Sequence, residues 1–142
     1  MGKKLTSGPF FVPVSIDGSD DGAVEFLLIG FKNLADKSST VDVSVHVCND
    51  ISLYPATPPE IEIFRKEVTI PAGHCAVLKL PAIETDDGKP TFTGNNMLRV
   101  AIEGDTNEEA KRIVAALSGG KDDGRTAVSM VFKHEDFIKL KD

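Results

Sequence analysis

The sequence predicts an all-β fold: an antiparallel two-sheet sandwich, jelly-roll or immunoglobulin-like, with about seven strands. Three observations predict it. Apolar and polar residues alternate in short runs at spacings near ten residues. Turn chemistry separates those runs: Asp17–Gly22, Asn33–Ser39, Pro71-Ala-Gly73 and Asp122-Asp-Gly124. Helical spacing appears in one stretch only, whereas a doubly wound sheet needs helices between its strands. The chain has 142 residues, 41% of them apolar. That is enough for one domain with a core of its own, without disulfides or a structural metal.

The elements follow in order. In 10–16, Phe10, Val12, Val14 and Ile16 share a face, and Pro13 confines the strand to an edge or to one-sided pairing. Segment 23–32 is apolar on both parities, so its strand needs cover on both faces, from its own fold or from another subunit. Segment 40–49 is the clearest strand, with Val41, Val43, Val45 and Val47 inward and Asp42, Ser44, His46 and Cys48 outward. Pro55, Pro58 and Pro59 mark a crossover. Segment 60–70 changes parity between Ile63 and Phe64, which predicts a bulge or a short turn. Strands follow at 74–80 (Ala76, Leu78, Leu80) and 97–103 (Leu98, Val100, Ile102), separated by a polar loop over 84–96. A short helix is predicted at 107–117: Thr106 and Glu109 suit a capping box, Ala110, Ile113, Val114 and Leu117 recur at helical spacing, and Gly119-Gly120 ends it. The last strand is 125–132, with Val128, Met130 and Phe132 on one face, and a charged tail follows.

Composition narrows function. Sixteen Lys and Arg stand against twenty-two Asp and Glu, for a net charge of −6. A nucleic-acid binder would carry a basic patch instead. Eight Phe, one Tyr and no Trp make a poor stacking platform for sugars or bases. No run of apolar residues is long enough to span a membrane. Lys3-Lys4 before an apolar stretch imitates a leader, but Pro13 and Asp17 interrupt the signal-peptide pattern, and Gly2 with Thr6 is only a short match to a myristoylation site.

Motifs with chemistry are few. His46, Cys48, His74 and Cys75 form a zinc-compatible set. His74 and Cys75 point to opposite faces of a strand, however, and no C-x-x-C knuckle is present, so no metal site is expected. Cys48 and Cys75 both fall on outward parity. They could approach if strands 41–48 and 74–80 pair, and they either form a disulfide or stay reduced. Asp17–Gly22 has the composition of a calcium loop but lacks the bidentate Glu of an EF-hand. The repeated Asp-Asp-Gly turns fit a turn preference equally well. No serine sits in a Gly-x-Ser-x-Gly setting, and no phosphate-binding glycine loop opens a helix. Neither catalytic residues nor a cofactor are expected.

The N-terminal segment is the informative feature. Its four apolar side chains are worth roughly 6–12 kcal/mol if buried, before entropy. The sequence reads as a connector strand (1–16), a hinge (17–22) and a body (23–142). The hinge spans at most about 20 Å, a reach that allows either folding back or addition to a neighbour's sheet. The expected subunit contacts are Phe10, Phe11, Val12, Val14 and Ile16, with Leu27, Ile29 and Phe31 from the doubly apolar strand. Leu5-Thr-Ser-Gly-Pro-Phe-Phe-Val-Pro-Val14, the Val-rich strand Thr40–Val47, the turn Val68-Thr-Ile-Pro-Ala-Gly73 and the closing Asp123-Gly-Arg with Phe132-Lys-His-Glu-Asp-Phe137 resemble small β-sandwich structural proteins of spore-forming Gram-positive bacteria, subunits of spore surfaces and surface fibres. The resemblance implies a non-catalytic subunit that polymerises with itself by donor-strand complementation. It also implies a place at the cell or spore surface without a cleavable signal peptide; a cytoplasmic place is the alternative. The alternative function is a monomeric or dimeric module that binds a ligand or calcium at the loop Asp86–Asn96.

Overall fold

The computed structural model describes residues 3–48, 53–83, 90–106 and 112–140. Ten strands form two antiparallel sheets that face each other. The larger sheet runs in the order β10 (Ile138–Lys139), β1 (Lys3–Thr6), β7 (Met97–Gly104), β4 (Ser39–Cys48), β5 (Ile61–Ile70), and β2 (Phe10–Phe11) adds to β7 beyond β1. The smaller runs β6 (Cys75–Pro81), β3 (Phe26–Asn33), β8 (Ile113–Gly120), β9 (Thr126–Phe132). The predicted two-sheet sandwich is therefore what the chain forms.

Alternation fills the space between the sheets. Val41, Val43, Val45 and Val47 of β4 and Leu98, Val100 and Ile102 of β7 are fully buried. They meet Leu27, Ile29 and Phe31 of β3, Ile113, Ala115 and Leu117 of β8, and Ala127 and Met130 of β9. Phe92, in the loop before β7, closes the core with 2% exposure. The parity change in the 60–70 strand is a register shift: Val45 faces Phe64 while His46 faces Glu62, leaving Ile63 as the extra residue.

The structure departs from expectation at the predicted helix and in the N-terminal segment, and it leaves the two cysteines in one of their two expected states. Residues 112–117 are not helical; β8 occupies 113–120, and 107–111 lie outside the described residues. Ile113 and Leu117 fit a helical period with Val114 and a period of two with Ala115, and pairing with the full length of β3 decides between them. Gly119 is no helix terminator. A Cβ there would stand 2.6 Å from Cε of Met130, so the glycine makes room for a core methionine lying across the strand.

The second correction concerns the N-terminal segment. Residues 3–6 and 10–11 run along β7 of the same chain, Leu5 opposite Ile102 and Phe10 opposite Leu98, broken at Ser7-Gly8-Pro9. Val12 continues the line: its N–H donates to the Asn96 carbonyl at 2.9 Å, and its own carbonyl accepts from Asn95 N–H at 2.7 Å. Gly94 permits that approach, since a Cβ there would lie 2.7 Å from Cα of Val14. Connector, hinge and body are thus one sandwich.

The cysteines do not meet. Strands 41–48 and 74–80 belong to different sheets, and both Cys48 and Cys75 are free thiols.

Candidate self-association surface and polar depression

The predicted contact residues divide by parity. Phe10 (5% exposed) and Val12 (1%) are core, and Ile16 packs against it, while Phe11 (61%) and Val14 (62%) face solvent. Leu27, Ile29 and Phe31, expected at a subunit contact, are consumed by the chain's own core. The other parity of β3 is what remains outside. Phe26, Leu28 and Gly30 lie on the outer face of the smaller sheet, where Gly30 has Val77 opposite it on β6 and Ala116 on β8. Val114 continues this face along β8, and on β9 Val128 and Val131 keep substantial exposure. One sheet therefore has apolar side chains on both sides. Lys32, Lys121, Glu25 and Asp122 rim it, while Lys79, opposite Leu28, lies within it with its ammonium 4.9 Å from the Phe26 ring centroid; Lys79 pairs with Asp122 (3.4 Å) and Lys121 with Glu25 (3.3 Å).

The edges of the sandwich are unequal. β5 is the long open edge of the larger sheet, but its Ile63 bulge and Lys66, whose place opposite Val43 puts it on the inward parity, obstruct a strand approaching from another chain. β6, the edge of the smaller sheet, has a continuous register with β3 from Cys75 to Pro81 and only Lys79 as a charge.

The outer face of the larger sheet is its opposite in character. Ser44 and Ala101 are cross-strand neighbours, with Arg65 beyond Ser44 on β5 and Thr6 beyond Ala101 on β1. Long charged side chains surround these short ones, and the result is a depression of about 170 Å³ lined by Lys4, Asp42, Ser44, His46, Arg65, Arg99, Ala101, Glu103 and Leu140. His46 Nε2 lies 2.9 Å from Ser44 Oγ, and Nδ1 lies 3.6 Å from Glu60. Burial, then the charge of Arg99, lowers the His46 pKa, so the ring is neutral near pH 7. Arg99 grips Glu60 with Nε (2.9 Å) and Nη2 (2.7 Å) and holds its carboxyl below the ordinary value. Arg65 donates to Asp42 at 2.5 Å and to Glu62 at 2.7 and 3.0 Å.

The zinc-compatible set is dispersed: His46 is on the larger sheet and His74 in the turn before β6, and no group of three or more His, Cys, Asp or Glu suited to a metal occurs among the described residues. The calcium-like loop already holds a cation of the protein's own. Arg125 donates through Nη1 to Asp17 Oδ2 (2.8 Å) and Asp21 Oδ1 (3.3 Å), and through Nη2 to Asp123 Oδ2 (2.6 Å). Hydrogen bonds from Ser19, then Arg125, hold Asp17 and Asp21 below the usual carboxylate range, and Arg125 does the same for Asp123. Ile16 N–H donates to the Gly22 carbonyl at 2.7 Å, closing the expected hinge into a loop. Of the ligand loop Asp86–Asn96, residues 86–89 lie outside the described residues; Thr93 and Asn96 form a turn that supports Phe92. No helix of the described residues is long and apolar enough to cross a membrane.

Sequence reasoning missed Asn33, whose single polar side chain at the end of an apolar strand read as part of a turn. It is fully buried. Its Nδ2 donates to the carbonyls of Lys37 (2.9 Å) and Ile70 (2.8 Å), and Oδ1 accepts from Ala35 N–H (2.9 Å). It joins the β3–β4 turn to the end of β5.

No protein-family model and no curated protein matches this chain. A solved structure described as the crystal structure of Thermotoga maritima 1070 is similar over 94% of this chain and 95% of that one, at 18% identity and a TM-score of 0.43, a likeness from which no function transfers.

Proposed function

We propose that the protein is a non-catalytic subunit that associates with copies of itself through the outer face of the smaller sheet, instead of through a donated N-terminal strand. The apolar outward parity of β3, β6, β8 and β9 carries this reading. A sheet with one face in water alternates apolar and polar residues, as the larger sheet does; the smaller one adds Phe26, Leu28, Val77, Val114 and Val128 on its outer face, interrupted by Lys79 and Ser118 beside Leu28. Four strands about 4.8 Å apart and eight residues long give a planar footprint of roughly 500 Å². Side-chain relief and the exposed Val128 add to it, against the about 800 Å² per partner of a standard interface. A second copy suits this face better than an unlike partner. Gly30 and Ala116 put no long side chain at its centre, and its charges are of both signs, so two copies can meet about a two-fold axis with opposite charges facing.

Sedimentation velocity of the full chain over a range of concentrations tests the reading. Association that strengthens with concentration is expected, and Val77→Asp and Ala116→Asp should abolish it while the circular dichroism stays that of a folded sandwich. A wild-type protein that stays monomeric throughout, or aspartate variants that assemble as before, would overturn it.

A further inference from the structure

One backbone donor on the outer edge of β8 is satisfied by a side chain. Alternate residues along β8 direct their backbone groups to β3: Leu34 N–H donates to the Arg112 carbonyl just before the strand, and Glu25 N–H to the Gly120 carbonyl at its end. The residues between these, on the odd parity, turn their groups to the other side. There Ile113 N–H donates to the Asp105 carbonyl at 3.0 Å, and Leu117 and Gly119 pair with Phe132 and Ala127 of β9. Ala115, 6% exposed, lies in the gap between these two supports. Its N–H donates to Nδ1 of His134 at 3.2 Å. An imidazole nitrogen thus stands where a backbone carbonyl would complete the ladder. Nδ1 accepts only while it carries no proton, so this bond requires the neutral ring with its hydrogen on Nε2.

His134 opens the segment that crosses from the smaller sheet to the larger. After the 3-10 turn His134–Asp136, Phe137 packs half-buried against the core, its ring centroid 6.3 Å from that of His134. β10 then pairs with β1, and Leu140 N–H donates to the Lys4 carbonyl at 2.8 Å. No residue from Lys133 to Leu140 is fully buried, so few apolar contacts hold the segment down. A cavity of about 350 Å³ beside the ring, lined by Leu5, His134, Glu135, Phe137 and Lys139, gives water access to it. We propose that Lys133–Leu140 is a pH-sensitive latch. Neutral His134 holds it shut against β8. A proton taken from solvent by Nδ1 sets two N–H donors against each other and leaves the buried Ala115 N–H without an acceptor. The segment then comes free and uncovers the edges of β8 and β1. The charged groups on the elements around the ring are Glu135 and Lys139 in the cavity, Asp136, which accepts from Lys133 N–H, and Lys4 of β1, which pairs with Glu103; β8 and β9 carry none. The latch is separate from the self-association face, which uses the outward side chains of β8 and not its edge.

Amide hydrogen exchange of the full chain, read residue by residue by NMR and divided by the intrinsic rate at each pH, tests the latch at pH 8 and pH 5. Opening at Ala115 and Leu140 should increase about tenfold or more at pH 5, the effect of a buried donor losing its acceptor, while Ile29 in the middle of β3 stays as protected as before. His134→Asn places Oδ1 where Nδ1 stood, an acceptor that does not titrate, and should keep both amides protected at pH 5. His134→Ala should leave them open at both pH values. The long-range ¹H–¹⁵N spectrum of the wild-type ring at pH 8 should show the hydrogen on Nε2. Equal protection of Ala115 and Leu140 at the two pH values would overturn the proposal, as would a ring carrying its hydrogen on Nδ1 at pH 8. So would a His134→Asn variant that loosens as the wild type does, a His134→Ala variant as protected as wild type at pH 8, or loosening of Ile29 by the same factor, which would mark general unfolding.

Discussion

Replacing Phe10 by alanine, beside the same change at Phe11, tests where the N-terminal segment is held. The two residues are adjacent, identical in chemistry and opposite in parity. Phe10 is 5% exposed, and its ring centroid lies 5.2 Å from that of Phe132 across the end of the core. Truncation there loses the transfer free energy of the ring and leaves a cavity, a cost of about 3–5 kcal/mol. Phe11 keeps 61% of its surface in water, so its truncation should fall within about 0.5 kcal/mol of wild type. A domain of this size has about 5–15 kcal/mol of stability in all, so the first change removes a large share of it and the second almost none. Urea unfolding followed by far-ultraviolet circular dichroism reads both, with the slope unchanged if only stability moved. The measurement is repeated at two protein concentrations well apart. If Phe10 is held in its own chain, the gap between the variants is the same at both. Equal losses for the two variants, or a gap that vanishes on dilution, would refute burial of this segment in cis.

Two further outcomes follow from the same structure. Asn33→Asp replaces an amide that donates to two carbonyls with a buried carboxylate facing them, and should cost about 3–5 kcal/mol, seen as a lower urea midpoint; a midpoint near wild type would show that the β3–β4 turn does not depend on this side chain. Arg125→Gln tests the closed loop through pH. Asp17, Asp21 and Asp123 have folded-state pKa values below their unfolded ones, so their contribution is complete above about pH 4 and is lost as pH falls towards the folded values. The variant should be less stable at neutral pH and should lose less further stability than wild type on acidification below pH ~4; parallel stability curves for the two proteins would remove Arg125 as the cause.

What the sequence determined by itself is the sandwich and its inner faces. A period of two along Val41–Val47 and Leu98–Ile102 admits one arrangement in which every apolar side chain leaves water, and that requirement is local enough to be read directly. The bulge at Ile63 was legible for the same reason, since a change of parity has to be absorbed within the strand. Residues 113–120 were ambiguous, because their apolar positions satisfy both periods, and only pairing with β3 excludes the helix. Cys48 and Cys75 share a parity but not a sheet, and the assignment of strands to sheets depends on contacts far apart in the chain. The fate of the first sixteen residues was undecidable for a related reason: burial of Phe10 and Val12 is demanded by their chemistry, but β7, Gly94 and Arg125, which provide and close the place, come eighty or more residues later. The depression over Ser44 and Ala101 exists only where β4 and β7 lie side by side. Long-range pairing decided each of these points, because the free energy of a strand's outer face depends on its neighbours and not on its own sequence.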